Sequence, residues 1–341
     1  MPGVDATTSG TTGTPLALRR SLNNVLVEEA WISHHRGWAG YRPGDVIAVM
    51  RGEVVSGATD EVVHRFVPAR RTLLLSSYHV SERSVAGYLD ALRSHRVRFL
   101  AAYPSSIASL TAVALARGSS LPPLTAIFTS SETLAPQARE VIESAWGCRI
   151  WDHYGHAERT VAAMECEQRR YHLLPGYGVV ERVDGGLLTT GLTNSSMPLL
   201  RYRVTDALEG WSEVRCDCGR AGRHFASVAG RTEDVLIGEG GRRIGRLDFV
   251  FKGVEGVLAG QICQDADGSI EVRVVPRGPA VDPVALVELL RGKTLERVGA
   301  VDVRVEVVSE LERAATGKTP FIIQRMSVPR LPAVPVGDGE R

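Results

Sequence analysis

A loop near the start of the chain is rich in glycine and hydroxyl side chains. Its sequence is Thr7-Thr8-Ser9-Gly10-Thr11-Thr12-Gly13-Thr14-Pro15. Because glycine tolerates positive φ and lets backbone N–H groups approach closely, such a loop can hold phosphate oxygens, and the hydroxyls add donors. The loop lacks the Gly-Lys-Ser/Thr ending of a P-loop NTPase, so that class is disfavoured. By itself the loop indicates either a phosphate site or a flexible linker.

A second group of chemically active side chains lies in the middle of the chain. It consists of Cys166, His172, Cys216 and Cys218. Three thiols and an imidazole can form a tetrahedral structural zinc site, although a one-residue spacer between two cysteines is less usual than a two-residue spacer. Reduced buried thiols explain the same residues equally well, and the sequence leaves both states open. Zinc at this position would join two β segments and take no part in catalysis.

The elements that must position these residues alternate between strand and helix in the first half of the chain. Apolar runs predict strands at 45–50, 72–75, 97–103, 126–129 and 149–152, and helical spacing predicts helices at 23–38, 84–94, 107–117 and 136–146. The alternation predicts a mostly parallel α/β sheet, in which ligands lie beyond the carboxyl ends of the strands. Loops 103–105, 129–132 and 153–155 are therefore expected at a binding site. The Gly- and Thr-rich loop is expected to open the chain with no strand before it.

The pattern changes after Tyr171. Shorter β segments are predicted at 179–190 and 199–204, and alternating strands at 270–275 and 301–308 flank a helix at 283–291. This arrangement predicts a large α/β domain with added β segments over residues 1–229. A small mobile α+β domain over residues 230–325 and a flexible tail over residues 326–341 are expected to follow it.

Composition restricts the classes of partner. The chain is 44% hydrophobic and 23% charged, and its formal net charge is +1, so the charge predicts no binding of nucleic acid or of a membrane surface. Five cysteines are too few for a disulfide scaffold, and no apolar segment has the pattern of a signal peptide or a bilayer span. We therefore expect a cytoplasmic protein, with a homodimer left open.

Five further segments follow the opening loop in a fixed order. They are residues 129–134, 152–158, 198–206, 230–237 and 316–318. Together with the loop they resemble the acyl-adenylate-forming superfamily of acyl-CoA ligases, luciferases and peptide-synthetase adenylation domains. The Tyr103-Pro104-Ser105 turn and the Cys216-Asp217-Cys218-Gly219-Arg220 segment resemble its phenylacetate–CoA ligase branch and the capsular-biosynthesis-like relatives of that branch. The resemblance spans residues 7 to 325.

The resemblance implies an enzyme that works in two steps. A carboxylate attacks the α-phosphate of Mg-ATP and gives acyl-AMP and pyrophosphate, and a thiol then displaces AMP. The expected thiol is coenzyme A, with a carrier-protein phosphopantetheine or an amine as the alternative acceptor. The branch implies a small carboxylic acid of aryl or arylacetic type. A nucleotide-binding remnant without catalysis is the alternative of a different class.

Residue roles at the nucleotide follow from the same resemblance. The β- and γ-phosphates would be held by the opening loop, through Thr8, Ser9, Gly10, Thr11, Thr12 and Gly13. The remaining ATP or AMP contacts would come from Ser131, Glu132, Asp152, His153, Tyr154, Gly155, Asp206 and Arg231. Tyr154 would stack on adenine, Asp206 would bind the ribose hydroxyls, and Arg231 would act as a fixed cation near the α-phosphate. Glu158 would bind Mg²⁺, a hard cation that prefers carboxylate oxygen.

The remaining roles concern the acid and the moving parts. The acid pocket would be lined by Tyr103, Ser130, His153 and Gly155, with Tyr78 and His79 as further candidates. Lys318 would bridge the substrate carboxylate and the α-phosphate. Glu233 matches the hinge, where rotation would carry Lys318 away and present the turn at residues 238–241 to the thiol.

The chain also departs from the family pattern. Leu16 stands where many relatives have Lys or Thr, and Arg19 or Arg20 is a candidate to bind phosphate in its place. Relatives usually carry a long segment before the phosphate loop, which here lies near the first residue. Four explanations remain: a sequence cut from a longer one, a misassigned start, a partner that supplies the missing part, or a naturally compact variant.

Overall fold

The computed structural model describes most of the chain. The described residues are 3–7, 16–52, 55, 62–184, 186–231, 236–241, 243–244, 247–251, 254–278, 281–314 and 319–326. Within these ranges no helix is long and apolar enough to cross a membrane.

The described residues form helices and short strands in alternation. The helices are α1 (Leu22–Trp38), α2 (Val85–Ser94), α3 (Pro104–Ala116), α4 (Pro136–Trp146) and α5 (Pro283–Val298). The strands up to residue 173 are β1 (Gly3–Thr7), β2 (Ala17–Ser21), β3 (Ile47–Met50), β4 (His64–Val67), β5 (Thr72–Leu75), β6 (Phe99–Ala102), β7 (Ala126–Ser130), β8 (Arg149–Gly155), β9 (Ala162–Glu165) and β10 (Tyr171–Leu173). The later strands are β11 (Gly178–Val183), β12 (Gly186–Gly191), β13 (Tyr202–Val204), β14 (Asp206–Glu209), β15 (His224–Phe225), β16 (Ser227–Arg231), β17 (Leu236–Ile237), β18 (Arg243–Ile244), β19 (Val257–Gln264), β20 (Ile270–Pro276), β21 (Val303–Val307) and β22 (Ile322–Gln324).

A nine-stranded sheet, here called the large sheet, organises the N-terminal part. Its strand order is β15-β10-β9-β8-β7-β6-β3-β5-β4. The central strands β5, β3, β6, β7 and β8 pair in parallel. Antiparallel strands close the two edges, with β4 on one side and β9, β10 and β15 on the other. The predicted mostly parallel α/β sheet is thereby confirmed.

Burial explains why these segments form strands and helices. Every residue of β6 and β7 is buried, as expected for parallel strands that are covered on both faces. In α4 the buried residues Ala138, Val141, Ile142 and Trp146 recur at helical spacing, which gives the helix one apolar face. That face packs into the main core with residues of α2 and α3.

Three local expectations are wrong. Residues 103–105 were expected in a loop, but helix α3 already begins at Pro104, a residue that is well suited to the first turn of a helix. A strand, β1, precedes the phosphate-loop segment and pairs antiparallel with β2, with Val4 opposite Arg20. The sequence did not predict β1 because this segment lacks an apolar repeat, and Val4 is exposed. Residues 153–155 were expected in a loop, but β8 continues to Gly155. It does so because the backbone from His153 to Gly155 pairs with β9, a partner that the local sequence does not reveal.

The C-terminal part forms a four-stranded sheet, here called the C-terminal sheet, in the order β21-β20-β19-β22. Helix α5 begins at the N-cap Asp282, whose side chain accepts from the backbone N–H groups of Val284 and Ala285. Leu258 and Val275 of this sheet pack into the main core together with the helices of the large sheet. The α+β character of this part agrees with prediction, whereas the domain boundary at residue 230 and the mobility of the C-terminal part stay predictions.

Candidate functional site

Three of the predicted acid-pocket residues lie at the carboxyl ends of adjacent parallel strands. Tyr103 follows β6, Ser130 ends β7, and His153 lies opposite Ser130 in β8. Tyr103 and Ser130 are buried and His153 is half-buried, whereas Gly155 is exposed two residues further along β8. The structure therefore brings Tyr103, Ser130 and His153 together at one sheet edge, and their contact with an acid stays a prediction.

Arg51 belongs to the same edge and was missed in the sequence. It directly follows β3, and its Nη2 donates to the hydroxyl of Ser130 and, at 3.1 Å, to that of Ser131. Its guanidinium lies 5.6 Å from the centre of the Tyr103 ring. Ser131 itself has a φ of 72°, in the left-handed region that residues other than glycine rarely occupy. Ligands bind at the carboxyl ends of parallel strands, and Arg51 follows the carboxyl end of the predicted strand at 45–50, so the same principle predicts it.

Asp152 lies in the core next to this edge. Its carboxyl oxygens accept from the Thr129 hydroxyl at 2.6 Å and the Tyr171 hydroxyl at 2.7 Å. The carboxylate of Glu165 accepts from the backbone N–H of Asp152 at 2.9 Å and pairs with Arg139 at 2.9 Å. Burial, followed by the charge of Glu165, raises the pKa of Asp152 to about 7. This arrangement makes Asp152 part of a buried hydrogen-bonded network, and its contact with ATP stays a prediction.

The predicted adenine and ribose residues contact each other directly. The Tyr154 hydroxyl donates to the Asp206 carboxylate at 2.7 Å, and the Tyr154 ring meets Phe225 edge to face at 5.7 Å. The backbone of Asp206 pairs with that of Arg231 between β14 and β16. Three separate motif segments therefore converge at this point. The side chain of Arg231 lies outside the described part.

Glu158, the predicted Mg²⁺ ligand, lies in the loop between β8 and β9. Its Oε1 accepts from the Tyr202 hydroxyl at 2.8 Å, and its Oε2 lies 3.1 Å from His156 Nδ1. Burial alone would raise the pKa of Glu158, but the His156 ring and the Tyr202 hydroxyl outweigh it and lower the pKa to about 2. Glu158 is therefore ionised at any pH near neutrality, which is the form that a hard cation requires.

The N-terminal hairpin lies beside the Glu158 loop. Arg20 in β2 donates to the backbone oxygen of Ala157 at 2.7 Å, whereas Arg19 pairs with Asp5 at 3.0 Å. Both arginines therefore contact protein groups, and the prediction that one of them binds phosphate in place of the residue at Leu16 stays a prediction. The predicted phosphate residues Thr8, Ser9, Gly10, Thr11, Thr12 and Gly13 lie between β1 and β2 and outside the described residues.

Glu132 forms a link that the sequence did not suggest. Its carboxylate accepts from the backbone N–H of Ser105 at 2.9 Å, from the Ser105 hydroxyl at 3.0 Å and from the backbone N–H of Thr319 at 2.6 Å. It therefore joins the loop after β7 to the first turn of α3 and to the C-terminal segment. Thr319 directly follows the predicted catalytic Lys318, which, like the hinge Glu233, lies outside the described residues.

Replacing Glu132 with alanine is expected to speed amide hydrogen exchange at Ser105 and Thr319 by roughly tenfold, because both N–H groups lose their acceptor. Exchange measured in peptides that cover these residues would test this. Glu140→Ala, which removes an exposed carboxylate from α4, is the matched control. Unchanged exchange at Thr319 in Glu132→Ala would show that this carboxylate does not hold the C-terminal segment.

Cys166, His172, Cys216 and Cys218 form a compact group, here called the Cys3His cluster. Their ligand atoms all lie within 4.8 Å of one another. The Cys166 and Cys216 sulfurs are 3.9 Å apart, and the Cys218 sulfur is 3.3 Å from His172 Nε2. Tetrahedral zinc at its usual bond lengths places two sulfur ligands about 3.8 Å apart and sulfur and nitrogen about 3.5 Å apart. The donor set and its spacing therefore fit a structural metal.

The surroundings of the Cys3His cluster suit thiolate ligands. The backbone N–H of Gln168 points to the Cys166 sulfur and that of Arg220 to the Cys218 sulfur, each at 3.4 Å. Such donors stabilise a negatively charged sulfur. The cluster joins β9, β10 and the segment before β15 at the edge of the large sheet. The zinc and the reduced-thiol interpretations remain the two alternatives, and zinc content together with thermal stability separates them.

Known proteins share both the sequence pattern and the fold. No protein-family model matches the chain. Protein CapK of Staphylococcus aureus is 23% identical over 238 residues, which cover 67% of this chain and 53% of that protein. Phenylacetate–coenzyme A ligase of Thermus thermophilus is 26% identical over 254 residues, which cover 67% of this chain and 54% of the ligase. The chain thus spans about half the length of these curated relatives.

Solved structures show the same architecture. A crystal structure of 2-hydroxyisobutyryl-CoA ligase in the postadenylation state, with an acyl-AMP bound, superimposes with a TM-score of 0.65 at 20% identity. It covers 94% of this chain and 73% of the ligase. Another structure of that enzyme contains 2-HIB-AMP and CoA, with a TM-score of 0.51 at 21% identity, and covers 95% of this chain and 74% of the ligase. The relatives, the fold and the ordered motifs agree: this chain is similar in sequence and in fold to members of the acyl-adenylate-forming superfamily.

Proposed function

We propose that this chain activates a carboxylic acid with ATP, forming acyl-AMP and pyrophosphate, and then transfers the acyl group to the thiol of coenzyme A. One observation carries the proposal. The Tyr154–Asp206 and Glu158–Tyr202 hydrogen bonds join two motif segments at the edge where β8 ends. The presence of Glu158, Asp206, Arg231 and Lys318 together favours catalysis over a nucleotide-binding remnant without catalysis.

The first step needs positioning and charge neutralisation more than covalent help from the protein. Glu158 supplies a fixed anion for Mg²⁺, which contributes charge neutralisation at the phosphates when bound. Asp206 supplies an acceptor for ribose hydroxyls, and Tyr154 an aromatic ring beside it. Arg51, Ser130 and His153 border the neighbouring space at the ends of β3, β7 and β8, where the acid would enter.

The acceptor and the acid are the less specific parts of the proposal. Coenzyme A as acceptor is supported by the phenylacetate–coenzyme A ligase relative and by the CoA complex of the 2-hydroxyisobutyryl-CoA ligase. A carrier-protein phosphopantetheine or an amine is the alternative acceptor. The phenylacetate relative favours an aryl or arylacetic acid. The chain spans about half the length of its curated relatives. That it carries out the complete two-step reaction is therefore proposed for this chain as well.

Pyrophosphate release tests the first step. The protein would be incubated with ATP, Mg²⁺ and a panel of aryl, arylacetic, aliphatic and dicarboxylic acids. Acid-dependent release is the expected result, and adding coenzyme A should then yield an acyl thioester. Well-folded protein that releases no pyrophosphate with any acid would favour the remnant alternative. Pyrophosphate release without thioester formation would point to a carrier protein or an amine.

Replacing Lys318 with alanine is expected to slow adenylation at least on the order of tenfold more than thioester formation, because the lysine charge would offset repulsion between the carboxylate and the α-phosphate. The two half-reactions can be measured separately, the second with synthetic acyl-AMP. Lys293→Ala, at a lysine of α5, is the matched control. Equal slowing of both half-reactions would remove the role assigned to Lys318.

A further inference from the structure

A cleft at the carboxyl ends of the central strands collects two arginine and two histidine side chains. It is lined by Arg51 after β3, by His153 of β8, and by His35 and Arg36 of α1. Its apolar wall includes Ile32 and Phe128. His35 is buried and the other three side chains are half-buried. The cleft borders Ser130 and Tyr103, the residues expected to contact the acid.

Arg51 reaches into this cleft with its hydrogen-bonding capacity only partly used. Its partners are the hydroxyls of Ser130 and Ser131, both contacted through Nη2, and the face of the Tyr103 ring. A guanidinium has five N–H donors in a planar fork, which matches the two oxygens of a carboxylate. Within the described ranges Nε and Nη1 of Arg51 donate to no protein group, so this fork remains available to a ligand.

In the described part of the chain, no carboxylate is in direct contact with the guanidinium groups of this cleft, although Asp152, Glu28 and Glu29 are near enough to act on Arg51. Among the described residues, Arg51 and Arg36 form no ion pair. The Asp152 carboxyl already accepts from Thr129 and Tyr171, and Glu28 on α1 binds the Tyr177 hydroxyl. Burial lowers the pKa of Arg51 and of Arg36 more than the nearby carboxylates raise it, and burial holds the pKa of His153 well below its usual value, so that this ring is neutral.

Arg51 is half-buried and has hydroxyl partners but no ion-pair partner among the described residues, so an anion that entered the cleft would gain a charge-assisted contact with it. The reacting carboxylate of the acid must meet the α-phosphate, which belongs near Tyr154, Asp206 and Glu158. Arg51 contacts Ser130 and Ser131 at the end of β7, whereas those nucleotide residues belong to the end of β8 and the segments beyond it. A second anionic group on the same acid fits the Arg51 position.

We propose that the acid substrate carries a second carboxylate and that Arg51 binds it at the ends of β3 and β7. The inference rests on the proposed function of acid activation and specifies its substrate class. An acid with one carboxylate and an apolar remainder would leave the Nε and Nη1 donors of Arg51 without an anionic partner. Sites built around such polar groups reject substrates that lack the matching group. Among the aryl and arylacetic acids of the proposed function, those that carry a second carboxylate are therefore favoured over those that carry one.

The test compares dicarboxylic acids with their own monoamides, so that the skeleton stays constant. Succinate, glutarate and terephthalate would each be paired with the corresponding monoamide, and phenylacetate would be added. Wild-type protein is expected to show a kcat/KM for pyrophosphate release that is about 100-fold higher for the preferred diacid than for its monoamide. Arg51→Gln should lower the diacid value by about 100-fold and change the monoamide value by less than about threefold.

Two further variants separate recognition from folding. Arg51→Lys keeps the charge but loses the planar fork, so an intermediate loss with the diacid is expected. Arg98→Gln is the matched control, because Arg98 also lies 5.6 Å from an aromatic ring, that of Phe99, but at the opposite end of β6. Arg98→Gln should leave the ratio of diacid to monoamide unchanged.

The inference is overturned if wild-type protein uses monoamides or phenylacetate as well as diacids. It is also overturned if Arg51→Gln lowers both members of a pair equally, because Arg51 would then contact the reacting carboxylate or act only on the fold. Calorimetric binding of the diacid without ATP separates this inference from the proposed function. Arg51-dependent binding without pyrophosphate release would sustain the inference and refute the function. Pyrophosphate release with monocarboxylic acids alone would support the proposed function and refute the inference about the second carboxylate.

Discussion

Replacing Glu158 with glutamine is expected to lower acid-dependent pyrophosphate release by about 100-fold or more, since the variant has no fixed anion to hold Mg²⁺ at the phosphates. Glutamine has nearly the same shape and can still accept from the Tyr202 hydroxyl, which lies 2.8 Å from Glu158. The fold should therefore persist while the charge disappears. A steady-state pyrophosphate assay over a range of Mg²⁺ concentrations would measure the decrease, which added Mg²⁺ should reverse only in part.

The pKa of Glu158 gives this prediction a pH component. Because His156 and Tyr202 overcome the effect of burial and lower the pKa to about 2, Glu158 stays ionised at every pH at which the protein is normally assayed. A carboxylate with a depressed pKa stabilises the fold above its unfolded pKa, and this contribution is lost as the pH falls toward 2. Protonation of Glu158 therefore should not limit the rate between pH 5 and pH 8, a range well above that pKa.

Glu181→Gln is a suitable control for Glu158→Gln. Glu181 lies in β11 and pairs with Arg201 at 3.4 Å, so its replacement also removes a paired carboxylate. We expect its effect on pyrophosphate release to be less than about threefold, in keeping with the small effect of exposed ion pairs. If Glu158→Gln and Glu181→Gln behaved alike, the Mg²⁺ role of Glu158 would be refuted.

The Cys3His cluster carries the second large effect. We expect purified protein to contain one zinc ion per chain and Cys216→Ser to lose it. The melting temperature of the variant should fall by more than about 5 °C, because structural zinc contributes directly to folding. Elemental analysis and thermal unfolding measure the two quantities. Metal removal by a chelator should lower the melting temperature of wild-type protein and leave that of Cys216→Ser unchanged.

Cys263→Ser is the control for this experiment. Cys263 is also a buried free thiol, but it lies in β19, away from the cluster. Its replacement should leave the zinc content unchanged. Metal-free wild-type protein with an unaltered melting temperature would instead establish the reduced-thiol alternative. Either result leaves the nucleotide site unaffected, because the cluster joins β9, β10 and the segment before β15 and includes none of the predicted nucleotide residues.

Several features of the site could be read from the sequence. The buried strands of the large sheet are short apolar runs, and the loops after them were located because ligands bind at the carboxyl ends of parallel strands. Tyr103, Ser130 and His153 do meet at that edge. The Cys3His cluster was also predicted, because thiols and imidazole are the side chains that bind zinc and can be recognised by residue type.

Other features depend on contacts between distant segments. Glu132 was expected at the nucleotide, yet its carboxylate links Ser105 to Thr319, because the C-terminal segment folds back onto α3. Asp152 was expected in the same site, and only the structure shows that its carboxyl group accepts from Thr129 of β7 and from Tyr171 of β10, strands on either side of β8 in the large sheet.

The sequence by itself therefore determined the class of fold, the order of the motifs and the identity of the chemically active side chains. These depend on local apolar patterns and on residue type, which can be read along the chain. The tertiary structure decided which of those side chains meet. The large sheet places β3 between β5 and β6, so Arg51 contacts Ser130 across 79 positions of sequence. Strand order follows from packing between distant segments, and no local pattern encodes it, which is why the cleft around Arg51 became visible only in the folded chain.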